Sequence, residues 1–127
     1  MMYSNQDILR ALEKRELVIE PFSPELVKAA GITLHLGARL LKPLPGKVVD
    51  VRRKIIPDME AIDLTDDQPY ELKPGGFILG ATFQSVTVGQ NLGFLIEGRS
   101  TLARVGLTIV QTAMMVYPGH TGRPITL

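Results

Sequence analysis

The chain has 127 residues, a net charge of +1, 45% hydrophobic and 21% charged residues, and no cysteine. That length suits one domain with a small core, and the near-neutral balance excludes a broad polyanion-binding face. Without cysteine no disulfide or thiolate metal site can form, and no apolar run approaches the ~18 residues of a membrane span. The opening MMYSNQD lacks the basic and apolar regions of a secretory signal. The expectation is a cytoplasmic protein that engages neither nucleic acid nor membrane.

The first predicted element is a helix over SNQDILRALEKREL, with Ser4 as its cap, Asp7 three residues later in a box-like pattern, and Ile8, Leu9 and Leu12 as one apolar stripe. LVIEPF, stopped by Pro21, predicts a strand. SPELVKAAG predicts a second short helix, capped by Ser23, with Pro24 at its first position and Gly31 at its end. ITLHLGARLL alternates apolar and polar residues as a strand does. Short β-like runs follow in VVDV, KII, FILGATFQSVTV, LGFLIEG, LTIVQTAMMV and PITL, separated by proline and glycine turns. Several short strands with regular turns point to an all-β sandwich or barrel. PITL stops in mid-strand, which leaves an open ladder and predicts a truncated chain.

The candidate chemistry sits in GRSTLARVGL, residues 98–107, and YPGHTG, residues 117–122. A glycine precedes Ser100, which is placed to cap a helical turn, and Arg104 lies four residues on, so both share a face. A helix start offers unpaired N–H groups to an anion, and Arg99 and Arg104 would add bidentate charge. Spacing alone leaves a second reading open: a capped surface turn with solvated arginines. Other chemistries find no support. There is no P-loop pattern and no zinc-deaminase signature, and two histidines are too few for a three-histidine zinc site. His35, within a predicted strand, reads as structural. Nothing in the spacing supports a Ser-His-Asp triad.

EGRSTLARVGL closely resembles the signature of the dCTP deaminases in the dUTPase-like superfamily. The likeness runs along the chain, through SNQDILRALEKRELVIEPF, ITLHLG, LKPGGFILGAT, PGHTG and ITL. The resemblance implies a mainly β fold: a distorted β-barrel or jelly roll of the dUTPase-like type with short N-terminal helices. Residues 1–127 would form a single such domain lacking its C-terminal strands. It also implies a homotrimer with sites between subunits, and hydrolytic deamination of dCTP to dUTP without zinc, with Mg²⁺ riding on the triphosphate. The bound nucleotide would be dCTP, or alternatively dUTP or dTTP. Carried over by position, Arg99, Ser100 and Arg104 would hold phosphates. Thr112 and Ala113 would shape the base pocket through their backbone, and Thr101, Tyr117 and Thr126 would complete the binding set. His120 stands where the family places an aromatic ring against deoxyribose, and it reads equally as a turn histidine in solvent.

Departures from the family pattern fall in the hairpin. Tyr117 replaces an aspartate, Met115 a basic residue and Val110 a histidine, and GRPITL carries one residue more than usual. The family's general base is a glutamate directly after TL, the position following Leu127. Glu97 is the nearest carboxylate, but beside Arg99 it reads as an ion-pair partner. Two alternatives therefore stand beside the deaminase: a dUTPase-like pyrophosphatase, whose water-activating aspartate would fall at Tyr117, and a noncatalytic relative that binds a nucleotide or a protein.

Overall fold

The computed structural model describes residues 1–111 and 113–127. Helix α1 spans Asn5–Glu13, and its start is as expected: the Ser4 hydroxyl accepts from the Asp7 N–H, and the Asp7 carboxylate accepts from the Ser4 N–H. Ile8 and Ala11 are the residues it buries, while Leu9 and Leu12 stay half-exposed. Strand β1, Leu17–Glu20, follows directly.

The predicted second helix does not form. Only Pro24–Leu26 makes a 3-10 turn, with no side-chain bond from Ser23. Val27–Lys28 is β2 and pairs with β3, Gly31–Ile32, in a tight antiparallel pair. Val27 is β-branched and favours that pairing over a helical turn. The expected strand over ITLHLGARLL is also interrupted. Gly37 N–H donates to the Ala81 carbonyl at 2.7 Å, and a Cβ on Gly37 would lie 3.1 Å from that oxygen. The chain crosses close to another strand there and resumes as β4, Arg39–Pro43. β4 pairs with β5, Met59–Asp63, a strand the sequence reading missed. VVDV and KII, predicted as strands, are the two sides of a projecting turn held by an Asp50–Ile55 bridge.

The central strand is β6, Ala81–Val88, which begins four residues later than the predicted run. It lies between β1 and β9, Arg123–Thr126, in an antiparallel three-stranded sheet. β6 buries every second residue: Thr82, Gln84, Val86 and Val88. Val86 and Val88 are 1% and 2% exposed, and they pack with Ala11, Leu17, Ile19, Leu26, Val116 and Ile125. The remaining β elements are pairs: β2–β3, β4–β5, and β7, Phe94–Leu95, with β8, Met115–Val116. The long strand expected over LTIVQTAMMV is reduced to β8 among the described residues. Among the described residues the fold is mainly β, distorted and not closed into a continuous barrel, with one short α-helix at the N-terminus and one single-turn helix, α2, Ser100–Ala103.

The two polar residues buried on β6 are satisfied. The β6–β9 register slips between Ala81 and Ser85, and there the Thr82 hydroxyl takes the Ile125 N–H at 2.9 Å while donating to the Gln84 carbonyl at 2.7 Å. Gln84 Oε1 accepts from the His35 N–H, so its amide nitrogen donates to His35 Nδ1 at 2.9 Å. That bond leaves the ring proton on Nε2. His35 is thus structural, as expected.

Two exposed carboxylates are expected to give the fold a small dependence on acid. Arg39 forks onto Asp63 at 2.7 and 3.1 Å, and this hydrogen bond, more than its charge, holds the Asp63 carboxyl below its usual range. The Ser4 hydroxyl and then its N–H do the same for Asp7. A carboxylate depressed in the folded state stabilises fully above its ordinary pKa of about 3.9, and that contribution is lost as pH falls through the folded value. Stability is therefore expected to hold from neutral pH to about pH 5 and to fall below about pH 4. Asp63→Asn is expected to flatten part of that fall in urea midpoints measured against pH. Superimposable pH profiles for the two proteins would contradict the assignment.

Candidate functional site

β7 and β8 pair through Phe94–Val116 and Leu95–Met115, and the Ile96 N–H continues the ladder to the Met114 carbonyl at 2.8 Å. From one end of this pair the chain runs into the arginine-serine turn. Gly98 lets it pass Ile109, whose Cγ1 would lie 3.1 Å from a Cβ at that position. The N-cap of α2 is Arg99, not Ser100: Arg99 is extended, and Ser100 is the first helical residue, with no side-chain cap. The expected shared face survives, because Arg104 N–H donates to the Ser100 carbonyl at 3.1 Å, one turn apart.

The end of the motif has a role that the sequence reading did not assign. Gly106 has φ +77°, its N–H bonds the Ala103 carbonyl, and Leu107 N–H reaches back to Leu102. These are the two bonds of a Schellman stop, in which glycine supplies the left-handed residue. GRSTLARVGL is therefore a single helical turn, uncapped by a side chain at its start and stopped by glycine at its end. It presents Arg99, Ser100, Thr101 and Arg104 to solvent. Among the described residues, neither arginine is in an ion pair, and Glu97 does not pair with Arg99 as expected; these side chains stay exposed, where a pair contributes little.

From the other end of β8 the chain enters the hairpin turn Tyr117–Pro118–Gly119–His120. His120 N–H closes it on the Tyr117 carbonyl at 3.3 Å, and Gly119 has φ +84°, the arrangement of proline then glycine in a type II turn. The turn is tied to the end of β6, with Gly119 N–H on Val88 O and Val88 N–H on His120 O. The His120 ring donates from Nε2 to the Arg123 carbonyl at 3.2 Å, since a carbonyl only accepts.

A cleft of about 500 Å³ opens along this hairpin, and Ala113, Tyr117, His120 and Thr126 all line it, with Met115 beside them. Tyr117 lines the cleft and is 72% exposed. Arg123 also lines it and was missed by the sequence reading; the signal was a basic residue directly after Gly122, a second glycine with positive φ (+52°). No carboxylate lines the cleft, and none of Arg99, Ser100, Thr101 or Arg104 reaches it, among the described residues. Thr112 lies outside the described residues. A second concavity, about 540 Å³ between α1 and β1, has walls of Leu9, Leu12, Val18 and Phe22 and holds no predicted site residue. Among the described residues there is no cluster of three or more metal-ligating side chains, and no helix is long and apolar enough to cross a membrane.

Comparison with known proteins agrees with the motif. A sequence model of the family described as dCTP deaminase-like matches residues 2–127. The chain is 32% identical over 124 residues to a Kocuria rhizophila protein named dCTP deaminase, dUMP-forming, covering 96% of this chain and 65% of that protein. Tropheryma whipplei and Dictyoglomus turgidum proteins of the same name are 33% and 35% identical, with the whole of this chain matched to 65% and 68% of theirs. The chain thus spans about two thirds of the length of these relatives. The match of the family model over residues 2–127, nearly the whole chain, places it in the dCTP deaminase-like family.

Proposed function

We propose that this chain is the nucleotide-recognising part of a protein that hydrolytically deaminates dCTP. The observation that carries the reading is the arginine-serine turn: Ser100 and Arg104 stacked one turn apart, with Arg99 at its mouth and both guanidinium groups open to solvent. Planar guanidinium groups match phosphate oxygens in bidentate fashion. Mg²⁺ enters with the triphosphate as part of the substrate.

The hairpin cleft is the proposed base and sugar subsite. The Ala113 backbone borders the cytosine, and the His120 imidazole, fixed by its bond to Arg123 O, packs against the deoxyribose. Thr126 sits at the edge beside the position following Leu127, where the resemblance places the glutamate base. That carboxylate would take a proton from the water attacking C4 and return one to the departing amine, releasing ammonia. The cleft's own residues bind and orient; none of those described is a carboxylate.

A homotrimer with shared sites is part of this proposal. Gly93 packs beside Val116 and Pro118 at the hairpin, and Arg99 is six residues further along a mostly extended segment. Ala113, at the edge of the cleft, precedes the Met114 carbonyl that Ile96 N–H reaches, so the cleft and the arginine turn lie along the same β7–β8 ladder. A second copy would complete a site shared between subunits, as the resemblance implies.

The relatives' names favour dUMP as the product, and thus removal of pyrophosphate as well as ammonia, over the dUTP expected from the sequence. Titration calorimetry with Mg–dCTP tests recognition directly. Weak but measurable binding is expected, tightened by Tyr117→Asp, which restores a sugar-hydroxyl acceptor that a phenol with a pKa of about 10 does not replace. Absence of any heat with both proteins would leave the noncatalytic, protein-binding alternative.

A further inference from the structure

Residues 44–58 form an arm that projects from the β4–β5 hairpin. Leu44 N–H bonds the Asp58 carbonyl at its base, and Asp50 and Ile55 exchange hydrogen bonds of 3.1 and 2.8 Å below the turn at its tip. The arm exposes an unusual set of side chains. Val48 and Val51 are each 86% exposed and Ile56 65%, and Val49 and Ile55 join them. Contiguous aliphatic exposure of this kind marks an interaction surface. The arm is also basic. Lys47 is paired with Asp58, and Arg53 with Asp50 at 3.7 Å, but among the described residues Arg52 and Lys54 have no carboxylate partner.

The complementary surface lies on the same chain, out of reach. Residues 64–71 carry Asp66, Asp67 and Glu71, all exposed and, among the described residues, in no ion pair, with Leu72 and Phe77 exposed nearby. The β4–β5 ladder separates the two poles. Its Pro43–Met59 pair is at the arm, and its Arg39–Asp63 pair is at the acidic loop. Five pairs at ~3.3 Å per residue hold the base of the arm roughly 13 Å from the loop, with the arm pointing onward.

We infer that the arm of one copy docks on the 64–71 loop of a second copy, Arg52 and Lys54 against Asp66, Asp67 and Glu71, with the valines and isoleucines covered beside Leu72 and Phe77. An anionic membrane or an acidic foreign protein would account for the arm alone. A second copy accounts for both poles with one contact. Because the poles are at opposite ends of the hairpin, the contact is head to tail, the kind that closes into a ring where the rotation between copies allows and otherwise propagates as a filament. The inference rests on the self-association proposed above, and not on the nucleotide reading.

Charge reversal in the full chain tests it, with mass by sedimentation velocity and folding followed by circular dichroism. R52E/K54E and D66K/D67K are each expected to weaken association about tenfold or more, since like charges would then face each other. The quadruple variant R52E/K54E/D66K/D67K is expected to recover it. Three outcomes would overturn the inference: a monomer at all concentrations, with or without capture by phosphatidylserine vesicles; reversals that leave the mass unchanged; or a quadruple variant as weak as the doubles. An unchanged oligomer with the reversed charges would leave the proposed trimer standing, built through another surface, and nucleotide binding is read separately in each case.

Discussion

Ile125→Ala is expected to destabilise the chain by about 2–5 kcal/mol, as for other buried isoleucines cut to alanine. Ile125 is 6% exposed and closes the core against Val86, Val88 and Val116. Its N–H is held by the Thr82 hydroxyl. That bond does not involve the side chain, so the backbone pairing survives and the loss comes from the cavity. A chain of 127 residues has a small core and little stability to spare, so the change should be plain in urea unfolding. Thr126→Ala, one residue on and exposed, should fall within about ±0.5 kcal/mol. Equal midpoints for the two variants would mean that β9 is not packed as described. Ile125 also lines the hairpin cleft, so the same cavity should loosen the proposed sugar subsite.

The second large effect is expected in binding. Arg104→Ala should weaken Mg–dCTP affinity by about 1.5–3 kcal/mol, or roughly 10- to 150-fold, the range for a hydrogen bond to a charged group. The fold should be untouched, because Arg104 is exposed and unpaired among the described residues. Calorimetry on both proteins at one salt concentration separates the two readings of the motif. Unchanged affinity would return GRSTLARVGL to a surface turn with solvated arginines.

What the sequence made legible was local. The Ser4–Asp7 cap is a four-residue pattern, and it forms as read. The arginine-serine turn is local as well, though the residue that opens it is Arg99 and its glycine stop went unread. The second helix failed because a strand of two residues, Val27–Lys28, is decided by its partner and not by its own propensity. β5 was missed for a related reason: MEAID has no clean apolar alternation, and its register comes from β4, some twenty residues earlier. VVDV and KII have strand composition but project away from the sheet, and they bury little. In the site, the hairpin residues converge on one cleft as positions in the motif implied. That the arginine turn and the edge of the cleft lie along one ladder became visible only with the β7–β8 register.

In the proposed function, residues 1–127 recognise a deoxynucleoside triphosphate, and among the described residues no carboxylate lines the cleft to deaminate it. The direct measurement is ammonia released from Mg–dCTP by this chain, followed at protein concentrations that saturate the nucleotide. The account predicts no release above the buffer rate, alongside dCTP binding that Arg104→Ala abolishes or weakens. Sustained ammonia release by the chain alone would contradict it, and would make Glu97 the first carboxylate to replace.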